Sequence, residues 1–214
     1  MKKILFTFLV FLMIFLIYYF NINNNIYYAS IGDFLSYGIN NLNSVDTNYS
    51  DNIKKSYSKK IDNYINYSSI DDYRVMDLVN DINDNKTITY NNKEYTLQNI
   101  LIKANYITLS IGMNDLINKN KISYEYMDQL LNDIEKLLIL IRKYNKDRID
   151  YLSFYNIIDN QSLIEYANTR LKLMCDKNKI NYIDISNLNI YILERYPTNE
   201  GYNYITDQIL NFTK

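Results

Sequence analysis

Three short stretches hold the residue types that could do chemistry: Gly32-Asp33-Phe34-Leu35-Ser36-Tyr37-Gly38, Gly112-Met113-Asn114-Asp115 and Leu193-Glu194-Arg195-Tyr196-Pro197. The first follows a run of β-formers and opens a helical stretch, so it reads as strand, tight turn and helix start. Such a turn is where an enzyme can mount a nucleophile. At that position the chain carries Phe34, which has no attacking atom. The 214 residues include only four glycines and one proline. Each of these should therefore fill a place that another residue cannot. Gly32, Gly38 and Gly112 sit at strand ends or helix starts, and open α/β sheets bind ligands beyond the carboxyl ends of their strands.

The elements that must position these stretches alternate. Ile26 to Ile31 reads as a strand, Leu35 to Asn41 as a helix start and Asn48 to Lys60 as a polar helix. Tyr64 to Ser68 reads as a strand and Asp72 to Ile82 as a helix with Val75, Leu78, Val79 and Ile82 on one side. Thr87 to Leu97 forms a hairpin about Asn91-Asn92, since β-formers flank residues that tolerate positive φ. Leu97 to Lys103 is a short helix and Tyr106 to Ile111 an apolar strand. The clearest amphipathic helix carries Met127, Leu130, Leu131, Ile134, Leu137, Leu138 and Ile141, with Ser123 as N-cap. Arg148 to Tyr155 (strand), Ser162 to Lys177 (helix), Asn181 to Ile185 (strand) and Asn199 to Phe212 (helix) complete the chain. This alternation predicts a mostly parallel sheet covered on both faces, a three-layer α/β domain over residues 23–214.

The three blocks, in their order and spacing, resemble the SGNH/GDSL hydrolase family from about Tyr27 to the C-terminus. The family's G-D-S-L-x-x-G block is similar to Gly32 through Gly38, with Phe34 in place of the serine nucleophile. Its third block, G-x-N-D, is intact as Gly112-Met113-Asn114-Asp115, which implies an oxyanion-hole role for Asn114. Its D-x-x-H-P block is replaced by Leu193 through Pro197, with Tyr196 where the family has histidine and Leu193 where it has the acid. A second block, which usually supplies a glycine N–H, aligns only with Asp72 to Leu78. The resemblance implies a flavodoxin-like sheet, a cleft at Gly32, Asp33, Gly112, Asn114 and Asp115, and ester-linked substrates such as acylated glycans or lipids.

The departures remove the chemistry that the resemblance would bring. Ester attack needs a hydroxyl and a base to take its proton. Phe34 offers neither, and a phenol, with a pKa of about 10, holds its own proton at neutral pH. The chain contains no histidine at all. Glu194 is one step from the acid's place. Ser36 is two residues beyond Phe34, and on a helix that turns its side chain roughly 200° away. The expectation is a catalytically inactive relative that binds or scaffolds at the cell envelope. The alternative is a divergent esterase or acyl hydrolase acting on envelope glycans or lipids. A third reading is a structural protein without a pocket.

The remaining features narrow the class. With 23 basic and 24 acidic residues the chain is near neutral, which argues against a nucleic-acid partner. The single cysteine, Cys175, lies on the apolar face of a helix and is expected to be a buried thiol. Without histidine and with one cysteine, a soft-metal site lacks ligands, and no metal or other cofactor is expected. At the N-terminus Lys2-Lys3 precedes an uncharged run from Ile4 to Phe20, about 25 Å long as a helix. No small-residue cleavage pattern follows it. Residues 1–22 therefore read as a membrane anchor or a signal sequence, and the anchor is favoured: a single pass through the cell membrane, lysines inside and domain outside.

Overall fold

The computed structural model describes residues 8–15, 26–39, 48–69, 72–117, 119, 121–193 and 195–212. Five strands form one parallel sheet: β1 (Ile26–Gly32), β2 (Ile61–Ser68), β5 (Tyr106–Ser110), β6 (Arg148–Leu152) and β7 (Asn181–Ile183). Their order is β2-β1-β5-β6-β7. The direction of travel reverses between β1 and β5, and such a switch point leaves a crevice beyond the strand ends. The first and third blocks leave those two strands.

The inner strands β1 and β5 are buried along nearly their whole length because both faces are covered. All five residues of β5 are buried, as are Ala29, Ile31, Ile149 and Tyr151. One set of helices packs together: α3 (Val75–Asn83), α4 (Leu97–Lys103), α6 (Tyr124–Tyr144) and α7 (Gln161–Lys177). On the other side α2 (Tyr49–Ser56) packs against the last helix, α8 (Asn199–Asn211). Cys175 is buried, and burial pushes its thiol up to about 12.

Several expected elements shift. The helix foreseen over Leu35 to Asn41 is a single turn, α1 (Phe34–Tyr37). Gly38 ends it with φ +95 and returns its N–H to the Phe34 carbonyl; residues 40 and 41 lie outside the described residues. The strand expected from Tyr64 begins at Ile61, because β1 lies alongside to pair with it. The helix expected from Asp72 begins at Val75, where Arg74 and Asp77 form a reciprocal cap. Helix α5 (Met113–Ile117), a 3-10 turn at Ser186–Tyr191 and the small hairpin β8 (Ile192–Leu193) with β9 (Tyr196–Pro197) were not anticipated. The other hairpin, β3 (Thr87–Tyr90) and β4 (Lys93–Thr96), turns on Asn91 and Asn92, both at positive φ.

At the N-terminus, residues 8–15 are helical and every one of them is exposed. Among the described residues no helix is long and apolar enough to cross a membrane. The rest of the expected 1–22 anchor lies outside the described residues.

Candidate functional site

Strand β1 delivers its turn against the end of β5. A side chain at Gly32 would place Cβ 1.8 Å from the Ser110 carbonyl oxygen, so only glycine allows the two backbones to approach this closely. The Asp33 N–H then donates to that same carbonyl at 2.8 Å. Asp33 is fully buried and its carboxyl joins two blocks: Oδ1 accepts from the Leu35 N–H at 3.3 Å and Oδ2 from the Met113 N–H at 3.0 Å. Burial drives its pKa up to about 7, against the opposing pull of the backbone N–H groups of Leu35, Met113 and Asn114.

Phe34, at the expected nucleophile position, is 1% exposed. Tyr196 comes to it from the β8–β9 hairpin, the rings meeting edge to face at 85° with centroids 5.3 Å apart. Leu193 pairs with Tyr196 across that hairpin and is exposed; Glu194 lies outside the described residues. The hairpin is tied down by backbone contacts on either side. The Tyr155 hydroxyl donates to the Arg195 carbonyl at 2.8 Å, and the Arg195 guanidinium donates to the Ile117 carbonyl at 3.2 Å. The structure thus brings the first and last blocks together through two aromatic rings.

The third block turns onto the segment Asp72 to Leu78. Asn114 is 5% exposed and its Nδ2 donates to the Tyr73 carbonyl at 3.1 Å. Asp115 Oδ2 accepts from the Val75 N–H at 3.2 Å, holding the first turn of α3. Burial raises the Asp115 carboxyl to about 6, while the Val75 N–H and the Arg74 charge pull it down. The five cleft residues Gly32, Asp33, Gly112, Asn114 and Asp115 therefore gather at the β1–β5 switch point.

No family model matches the sequence, and no curated protein matches it. Solved structures do. A catalytic mutant of Axe2, an acetylxylan esterase from Geobacillus stearothermophilus, superposes with TM-score 0.64 at 14% identity, over 87% of this chain and 93% of that one. A member of the lipolytic G-D-S-L family from Veillonella parvula gives 0.60 at 15%, over 87% and 98%. A carbohydrate esterase whose active site displays divergent catalytic and non-catalytic binding functions gives 0.56 at 11%, over 87% and 68%. The chain has the SGNH/GDSL-hydrolase fold.

Within this SGNH fold the nearby serines are spent on the core. Ser36 is fully buried, and its Oγ lies 2.7 Å from the Tyr49 hydroxyl, 2.9 Å from Ser110 Oγ and 3.3 Å from the Ile31 carbonyl oxygen. Ser30 joins the same network through Tyr49 at 3.3 Å. No local pattern flagged Tyr49, which reaches the serines from the start of α2.

A cavity of about 410 Å³ that sequence reading missed lies beside the hairpin. Ile117, Ile122, Ile157 and Ile158 give its mostly polar lining an apolar edge, and Lys119, Lys121 and Arg195 give it positive charge, with Asp159 opposing. Among the described residues there is no group of three or more His, Cys, Asp or Glu side chains able to hold a metal ion.

Proposed function

We propose that this chain is a membrane-anchored, extracytoplasmic SGNH-fold protein that binds an envelope glycan or acyl ligand without turning it over. One observation carries the reading: the nucleophile position holds a buried phenylalanine, with Tyr196 in the base's position packed edge-on against it. An ester carbonyl has no hydroxyl to meet there and no imidazole to take a proton. Asn114 commits one of its two amide N–H groups to the Tyr73 carbonyl.

What remains open is the cavity beside the hairpin. Its lining is mostly polar with an isoleucine edge that suits a pyranose or acyl face, and Lys119, Lys121 and Arg195 favour a ligand with an acidic group. The carbohydrate esterase neighbour, with its non-catalytic binding function, gives this reading a structural counterpart. The anchor is supported by residues 8–15, eight consecutive apolar side chains between 40% and 69% exposed. A helix that is apolar all round needs a non-aqueous surrounding, and Lys2 and Lys3 favour an orientation with the domain outside.

The test is hydrolysis of a short-chain chromogenic ester by the full chain in detergent, beside the F34S/Y196H double variant, with binding of an acidic acylated glycan measured in parallel. The expected result is saturable binding, and turnover by the natural protein no faster than a heat-inactivated blank. Turnover in the double variant alone would mean that the cleft survives and only the reacting groups are gone. Hydrolysis by the natural protein, with covalent labelling by a serine-directed phosphonate that one Ser→Ala change abolishes, would establish the divergent esterase instead. A chain that neither binds nor reacts would leave only the structural reading.

A further inference from the structure

The two ends of the sheet differ in charge: one is strongly basic, the other near neutral. Because its five strands are parallel, the turns feeding them share one end and the turns leaving them share the other. Feeding β2, β5, β6 and β7 are residues 57–60, 103–105, 142–148 and 177–180, which hold nine Lys or Arg and one acid, Asp147. Leaving the strands, the described residues of 33–38, 69–74, 111–123, 153–160 and 184–198 hold four Lys or Arg and five Asp or Glu.

Part of the basic charge has a structural duty. Arg142 donates to the carbonyls of Asn178 and Asp147, Arg148 pairs with Asp150, and Lys177 pairs with Glu135. Counting Asp150 and Glu135 as well as Asp147 still leaves an excess of six positive charges, nine less three. Lys59, Lys60, Lys103, Lys143, Lys146 and Lys179 are all exposed. Between the ends of α6 and α7 lies a groove of about 760 Å³ bordered by Arg142, Lys146, Arg148, Lys177 and Lys179.

The chain also enters the domain at this end, since β1 begins there. Only ten residues separate Phe15 from Ile26, a reach of at most about 35 Å when fully extended. We infer that the basic end of the domain rests on the anionic phospholipid headgroups of the membrane that holds the N-terminus, with the Phe34–Tyr196 site facing away. This rests on the anchor reading above. Strands of this length place the site roughly 20 Å further out.

Labelling the full chain at Lys146→Cys or Asp159→Cys tests this, because buried Cys175 stays unreactive to a thiol probe. Each variant is reconstituted with phosphatidylcholine vesicles, with or without phosphatidylglycerol, that carry a headgroup quencher. The expected result is several-fold stronger quenching at position 146 than at 159 with phosphatidylglycerol present, the contrast shrinking in high salt and on K59E/K60E/K179E substitution. Equal quenching at both positions, or a contrast indifferent to phosphatidylglycerol, overturns the inference. Flotation with phosphatidylglycerol vesicles alone would support the basic end while removing the anchor; flotation with neither would overturn both.

Discussion

Where the first and last blocks meet, two aromatic rings pack edge to face; where the third block meets the segment Asp72 to Leu78, an amide and a carboxylate hold backbone groups. Both junctions line the same crevice beyond β1 and β5, yet they are maintained by different forces. Phe34 is held by burial, whereas Asn114, Asp115 and Asp33 are held by directional bonds to Tyr73, Val75, Leu35 and Met113. The contrast sets the two halves apart in what they depend on. The polar side chains fasten neighbouring turns whether or not an ester is ever bound.

The largest expected effect falls in the apolar half. Phe34→Ala should cost about 3–5 kcal/mol in denaturant unfolding, as for other fully buried phenylalanines. Asn114→Ala removes one hydrogen bond to a backbone carbonyl, so about 1–2 kcal/mol is expected. If the order were reversed, the Asn114 contact would be a keystone rather than a fastening, and the division between the two halves would fail.

How far the sequence could be read follows the same division between local and distant causes. The Asn91-Asn92 turn, the Ser123 cap and the helix Leu97–Lys103 depend on neighbours within a few residues, and each stands where the pattern places it. The start of β2 at Ile61 was hidden because Asp62 and Asn63 look like loop residues until β1 lies beside them. The β8–β9 hairpin has two residues per strand, too few for any alternation to register. The glycine-bearing blocks were legible at the site because glycine is scarce here and Gly32 is required by close contact. What the blocks do with their polar atoms was not: Asn114 finds its acceptor 41 residues away, and Ser36 finds Tyr49 across a segment with no periodic signal.

Asp33 sharpens the comparison through pH. Its folded pKa, about 7, lies above the ordinary carboxylate value of about 3.9. The folded protein then binds more protons than the unfolded chain between these values, so stability falls as pH rises from about 4 to about 7 and levels off above. Asp115, raised to about 6, acts in the same direction over a narrower window. Asp33→Asn mimics the protonated carboxyl, so it should match the natural protein near pH 4, gain on it as pH rises to about 7, and keep that gain above. Parallel stability curves for the two proteins would mean that the backbone N–H donors, not burial, set the charge of Asp33.

The smallest effect belongs to the Tyr196 hydroxyl. The contact with Phe34 is made by the ring, so Tyr196→Phe keeps the edge-to-face pair and should change stability by less than about 0.5 kcal/mol. Tyr196→Leu removes the aromatic contact, and a double-mutant cycle with Phe34→Leu should return a coupling of about 0.5–1.5 kcal/mol. A loss well above 1 kcal/mol in Tyr196→Phe would show that the phenol oxygen has work of its own. The junction of the first and last blocks would then be polar after all, and the hydroxyl of half-buried Tyr196 would become the first group to test for ligand contact.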